Sequence, residues 1–335
     1  MANYTISDIA RICGVSKATV SRVINNKPQG VSDKTRQKVR KTMEKLNYRP
    51  SMLARSVATS HSHLVGLVIP DISSLFYPDI ISAVNKYFSS HGYSIVLANT
   101  DYSAEKERVQ LLSMVDKRVD GVILCSGTSN EEFLAEYRKY GIPLASIGRM
   151  YDNYLCDISI SGDNVKGAKL AVKHLLSTGN EKIALLSGNK DVAGTLQRIE
   201  GYRQALEEAG LPFDRSLIYN GEYTISSGIE MTMQILEDKK DFTAVLAGSD
   251  LIAIGVLKAL RQKNIAVPNQ IEVMGFDNIS LAEIFEPQLS TISKPHQHMA
   301  AEISRKLYRL INGKENDIAH FIVEPELVIR YTTKS

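Results

Sequence analysis

The sequence predicts an α/β protein in two parts: a small all-helical N-terminal module, then a larger, two-lobed domain of doubly wound parallel sheets. Three observations carry this. Residues 1–60 hold twelve Lys or Arg and only three acids, a net charge of +9, whereas the other 275 residues hold 28 basic and 34 acidic side chains, a net charge of −6. Within the basic segment, cap residues precede short apolar-faced stretches. From Ser62 onward, short apolar runs alternate with longer amphipathic ones, which is the signature of parallel strands covered by helices on both faces. A length of 335 residues allows two or three domains at ~150 residues each, and 44% hydrophobic residues suffice to build their cores.

Taken in order, Thr5-Ile-Ser-Asp8 reads as a capping box opening a helix whose apolar face is Ile6, Ile9, Ala10 and Cys13. Gly14 supplies a tight turn, and Ser16 caps a second helix, Lys17 to about Ile24, turned inward by Val15, Thr19 or Val20, and Val23. Lys17, Ala18, Ser21 and Arg22 then face outward. Two short helices about a Gly-containing turn form a helix-turn-helix, whose second helix fits the DNA major groove. Ser32 caps a third helix, 33–46, with Val39, Met43 and Leu46 inward, and Asn47-Tyr-Arg-Pro50 ends it. Ser51 can cap a further stretch, 52–58, too short to hold as an isolated helix. That stretch is expected to order only when something packs against it. Charge on one segment alone points to a nucleic-acid or acidic surface as its partner.

In the larger part, 64–70, 93–99, 120–126 and 143–148 read as buried strands, with helices near 79–91, 104–117 and 130–140. A second set follows at 157–161, 182–188, 216–220, 243–248 and 271–276. Ligands of such sheets sit outside the carboxyl ends of the strands, here between two lobes. No apolar run approaches the ~20 residues of a membrane span, and MANYTISDIARICG lacks an export-signal layout. Cys13, Cys125 and Cys156, odd in number and without CxxC, suit a reducing cytoplasm rather than a disulfide scaffold or zinc ribbon. The phosphate-loop, GxGxxG, GxSxG and HExxH motifs are all missing, so no enzyme and no cofactor is expected. The pairs His61/His63 and His296/His298 are placed in linkers without acid or Cys partners, so no metal is expected either. Met231 and Met233 read as core.

ISDIARICGVSKATVSRVINN, followed by VSDKTRQKVRKTMEKLNYRPSMLARSV, resembles the LacI family of bacterial transcription regulators over some fifty residues. The family pattern is D-V-A-x-x-A-G-V-S-x-x-T-V-S-R-V-x-N, then T-R-x-x-V and L-x-Y-x-P-N-x-x-A. The resemblance continues through GDNVKGAKLAVKHLLSTG, LQRIEGYRQALEEAGL, GSDLIAIGVLKAL and IEVMGFDNISLAEIFEPQLSTISKP. It implies a helix-turn-helix domain (1–50), a hinge helix and linker (51–61), and a periplasmic-binding-protein-like effector domain (62–335). Lobe 1 of that domain would take 62–161 and 292–323, and lobe 2 would take 162–291 and 324–335.

By that resemblance Arg22 donates to a guanine edge, and Lys17 and Ala18 are variable reading positions. Thr5, Ser16, Thr19, Ser21, Asn25 and Tyr48 hold phosphates or neighbouring bases, and Ala54, Arg55 and Val57 meet the minor groove from the hinge. Ser16 as a helix cap, Thr19 as partly core and Tyr48 as a staple on the third helix are the structural alternatives. Two departures stand out: Ser51 replaces the usual Asn, and Val57 replaces a leucine wedge, implying a weaker wedge and a shallower kink.

For the effector, the strand ends offer Phe76, Arg149, Tyr223, Asp250 and Asp277, and by the resemblance Arg198 in QRIEGY matches the family's arginine that grips the effector; together they form an aromatic, guanidinium and carboxylate set suited to a polyol. Phe76 as core, Asp250 or Ser249 as a cap, and Arg198 paired with Glu200 or another nearby acid are the alternatives. Gly148 stands where an aspartate is common, which tips the pocket toward a sugar acid or sugar phosphate. The expected protein is a cytoplasmic homodimer on a pseudo-palindromic operator, a repressor of carbohydrate-utilisation genes relieved by a sugar-like effector. No leucine-heptad tail follows EPELVIRYTT to call for a tetramer. PDISSLFYPDI and KRVDGVILCSG look like the catabolite-control branch of the family, which answers to a phosphorylated carrier protein; that is the rival. A sugar-binding transport component is the other, and the basic module argues against it.

Overall fold

The computed structural model describes residues 4–24, 29–48, 61–125, 131–314 and 319–334. The chain divides into two compact units, Met1–His63 and Leu64–Ser335. The expected hinge at 51–58, with Asn25, Ala54, Arg55 and Val57, lies outside the described residues.

In the first unit, α1 (Ile6–Cys13), α2 (Lys17–Ile24) and α3 (Asp33–Lys45) enclose a small core of Ile9, Ala10, Cys13, Val20, Val23 and Val39. The capping box is present in both directions: the Thr5 side chain accepts from the Asp8 backbone, and the Asp8 carboxylate accepts from the Thr5 backbone at 2.9 Å. Those bonds hold the Asp8 carboxyl below its usual range. Gly14 takes φ +64° at the end of α1, the left-handed conformation that costs glycine least. Ser16 Oγ accepts from Thr19 N at 3.1 Å and caps α2, and Ser32 caps α3. The third helix ends at Lys45, and the chain turns where the sequence pattern ends it: Asn47 is left-handed at φ 49°, and Tyr48 N donates to Met43 O at 2.9 Å.

In the second unit, the first sheet is six-stranded and wholly parallel. Its strands are β1 (Leu64–Ile69), β2 (Ser94–Asn99), β3 (Gly121–Leu124), β4 (Leu144–Ile147), β5 (Ile158–Gly162) and β11 (Ala319–Val323), in the order β11-β5-β4-β3-β1-β2. Helices α4 (Tyr77–Ser90), α5 (Ala104–Asp116) and α6 (Glu131–Tyr137) connect them. The second sheet has the order β7-β6-β8-β9, from β6 (Ile183–Ser187), β7 (Ile218–Asn220), β8 (Ala244–Ala247) and β9 (Glu272–Met274). Its helices are α7 (Asn164–Ser177), α8 (Ala193–Glu208), α9 (Ile225–Glu237) and α10 (Asp250–Gln262). After the short α11 (Leu281–Ile284) come β10 (Thr291–Ser293), α12 (His296–Ile311) and β12 (Glu326–Val328), with β10 and β12 antiparallel.

Strands covered on both faces lose the polar alternation of a half-exposed strand. Val65, Leu67, Val68 and Ile69 of β1 are all fully buried, as are Ile183, Leu185 and Leu186 of β6. Met231 is also core. Two corrections follow from the topology. The segment 157–161 completes the first sheet instead of opening the second, because its register with β4 is continued by the returning β11. His296 and His298 lie in α12 and not in a linker. The chain passes between the sheets three times: at Gly162–Asp163, at Lys294–Pro295 and after Val323.

Candidate functional site

The carboxyl ends of the two sheets face a cavity of about 130 Å3. One water requires roughly 10–15 Å3 on that scale, so the space suits a small organic molecule. All six residues expected at the effector site, Phe76, Arg149, Arg198, Tyr223, Asp250 and Asp277, line it.

Each is placed by local chemistry. Phe76 precedes α4, where Pro78 occupies the first turn, and its ring meets Tyr77 and His296 edge-on at 4.9 and 4.5 Å. It packs on the core and lines the cavity at once, so the two readings of this residue are compatible. Arg149 follows Gly148, whose φ of +94° favours a residue without a side chain. Its guanidinium stacks over Tyr151 at 4.6 Å and lies 3.7 Å from Glu131.

Arg198 on α8 is 6% exposed. It donates to Asn164 Oδ1 at 3.3 Å and to the Tyr223 hydroxyl, and lies over the Phe276 ring at 5.0 Å. Glu200 is engaged by Arg203 and Gln204 instead, so the pairing of Arg198 with Glu200 does not form. Tyr223 also bonds Thr195 Oγ1 at 2.5 Å. Its ring occupies the space beside Gly188, where a Cβ would stand 2.1 Å from the ring carbon that bears the hydroxyl.

The two carboxylates differ. Asp250 is 1% exposed, and both its oxygens are taken: Oδ1 accepts from Thr291 Oγ1 at 2.5 Å and Oδ2 from Ile279 N at 2.8 Å. Burial first, then the Asp277 charge, raises its pKa to about 8, so it is largely protonated at neutral pH. The cap of α10 is its neighbour Ser249, which accepts from Ile252 N. Asp277 sits at φ 107°, a conformation costly for any residue with a side chain and typical of functional sites. Its Oδ1 is 2.8 Å from Lys294 Nζ.

Sequence reasoning missed Lys294, His296, Asn164 and the start of α8 at Val192–Gly194, all of which line the same cavity. A charged residue beside a proline in a run such as STISKP gives no periodic signal, and the sequence pattern places His296 in a linker. Burial, then the charge of Lys294, lowers the His296 pKa to about 4, so the ring is neutral at pH 7.

In the first unit, Ser16, Lys17, Ala18 and Arg22 are exposed. Ser21, Thr19 and Tyr48 are half-buried. Ser16 and Thr19 are tied together by the cap of α2. Arg22 lies against Gly30, where a Cβ would stand 3.0 Å from its Nη1.

A helix-turn-helix with an exposed basic reading face, joined in one chain to a two-lobed domain around a ligand-sized cavity, defines a ligand-controlled DNA-binding regulator. The chain belongs to the LacI family. The family model "Bacterial regulatory proteins, lacI family" matches residues 5–51, and "Periplasmic binding proteins and sugar binding domain of LacI family" matches residues 62–333. Its relatives include the HTH-type transcriptional regulator DegA of Bacillus subtilis (strain 168), 37% identical over 332 residues and 98% of each chain. Catabolite control protein A of Priestia megaterium is 36% identical over 334 residues, covering 99% of this chain and 100% of the relative. Among solved structures, the lac repressor dimer bound to operator and the anti-inducer ONPF superposes with a TM-score of 0.87, at 25% identity and 100% of both chains.

Proposed function

We propose that the chain is a homodimeric repressor of carbohydrate-utilisation genes, with 1–50 as reading module, 51–61 as hinge and 62–335 as effector domain. Each protomer reads one half-site of a pseudo-palindromic operator. Arg22 donates to a guanine edge, with Lys17 and Ala18 beside it and Thr5, Ser16, Thr19, Ser21, Asn25 and Tyr48 at phosphates or neighbouring bases. Ala54, Arg55 and Val57 enter the minor groove when the hinge orders. A small polyol effector bound by Phe76, Arg149, Arg198, Tyr223 and Asp277 favours one arrangement of the lobes and so biases the hinge. Such couplings amount to ~1–3 kcal/mol. Asp250, with both oxygens occupied, acts by holding the floor of the site. The convergence of the six expected residues on one cavity, in a chain with a helix-turn-helix, carries this reading.

The test is operator selection from random DNA followed by footprinting. Arg22→Ala is expected to weaken the selected site roughly ten- to hundredfold, as the loss of a bidentate base contact does, with an unchanged circular dichroism spectrum. Affinity unaltered by that change would remove Arg22 from the interface. The 36% identity to catabolite control protein A supports a second reading, control by a phosphorylated carrier protein. Pull-down with a serine-phosphorylated carrier separates the two.

A further inference from the structure

The second passage between the sheets brings a lysine into the cavity. Lys294 follows β10, its side chain is 10% exposed, and its stem runs across Gly162, where a Cβ would overlap Lys294 Cγ and Cδ. The missing side chain at Gly162 thus fixes the path of the lysine. Its Nζ ends 2.8 Å from Asp277 Oδ1 and 3.3 Å from Asn164 Oδ1.

Arg198 reaches the same Asn164 oxygen at 3.3 Å, and among the described residues its buried Nε has no hydrogen-bond partner. Two cations therefore converge on one amide oxygen and one carboxylate. The other carboxylate, Asp250, is held largely neutral by its burial, and burial also disfavours the charge on Lys294. A buried cation without full compensation is costly, and a ligand that brings a negative charge removes that cost. The 16-residue helix α8 begins on the same wall. Its N-cap is Val192, without a side-chain cap, and Val192, Ala193 and Gly194 line the cavity. Helix N-termini attract anions through their open N–H groups and dipole.

We propose that the ligand of this cavity carries an anionic oxygen group, a carboxylate or a phosphate, seated between Lys294, Arg198 and the N-terminus of α8. The remainder of the ligand lies toward Phe76. The proposal rests on the reading of this cavity as the effector site.

Titration calorimetry on the full-length protein with matched pairs tests it: D-glucose against D-gluconate, D-glucuronate and D-glucose 6-phosphate, and D-ribose against D-ribose 5-phosphate. Inorganic phosphate and acetate serve as anion-only controls. At least one anionic member is expected to bind ten times or more tighter than its neutral counterpart, and the acid and phosphate arms tell which group is held. Lys294→Met is expected to lower that affinity ten- to a hundredfold, while Lys294→Arg stays within a few-fold and controls for folding. Neutral sugars binding as tightly as their anionic partners, in a manner lost on Arg198→Ala, overturn the anionic ligand and leave the effector cavity standing. Anion binding unmoved by Lys294→Met overturns the proposed seat. Failure of every member of both series to bind overturns the cavity reading together with the proposal.

Discussion

The two walls of the cavity are made of different material. On the first-sheet side stand Phe76, Tyr77, Ile80, Ile147 and Met299, largely apolar and continuous with the core of that lobe, with Arg149 after β4 as the charged exception. On the second-sheet side stand Arg198, Tyr223, Asp250 and Asp277, linked by hydrogen bonds and ion pairs, with Lys294 arriving from the passage between. Arg149 apart, the first wall excludes water and shapes a ligand; the second holds the rest of the charge that can discriminate one. The difference teaches that affinity and specificity at this site have separate addresses, so substitutions on the two walls should fail in different ways.

The largest effect is expected at the buried acid. The folded pKa of Asp250 is raised to about 8 from an ordinary value of 3.8, so between those limits the folded state binds a proton that the unfolded state has released. Its contribution to stability is complete at low pH and falls as pH rises from about 4 to 8. Each tenfold change in proton affinity is worth ~1.4 kcal/mol, which sets several kcal/mol as the upper bound. Asp250→Asn, able to bond both Thr291 and the Ile279 N–H, should remove this slope. The measurement is the difference in urea unfolding free energy between wild type and variant across that range, which also cancels the opposing term from His296. A pH-independent difference would show that Asp250 is ionised throughout.

Next comes Gly188→Ala. The added carbon would displace the Tyr223 ring and with it the contacts to Arg198 and Thr195. Overpacking of this kind costs ~1–3 kcal/mol, to be read as a lower thermal midpoint together with weakened ligand binding. A variant with unaltered affinity would place Tyr223 outside the charged wall. The smallest effect is expected on the apolar side. Phe76→Ala should weaken neutral and anionic sugars alike, by a few-fold each, in the calorimetric series above. Unequal losses would mean that the walls are not separable.

Much of this was legible in the residues. Parallel strands buried on both faces leave uninterrupted apolar runs, and caps such as Thr5, Ser16 and Ser32 mark helix starts directly. The strand-end rule pointed to five of the six expected cavity residues, and the family resemblance supplied Arg198, which lies on α8. What could not be read was tertiary. The interior position of β5, between β4 and β11, depends on a partner strand some 160 residues away, and β11 presents Phe321 and Ile322 to solvent, which blurs its pattern. Lys294 owes its position to a gap at Gly162, and a gap has no sequence period. Asp250 looked like Asp277 until the bonds from Thr291 and Ile279 separated them.

The three passages between the sheets also govern the order in which the molecule can be completed. Strand β5 lies between β4 and β11, so during synthesis its outer edge stays open until residues 319–323 have emerged, when nearly the whole chain exists. The second sheet, by contrast, draws its four strands from one continuous run, 183–274. An unpaired strand edge is a template for other chains. The sheet that begins first is therefore closed only after the second sheet has all its strands, and through that interval it is the part of a nascent molecule most open to mispairing with its neighbours.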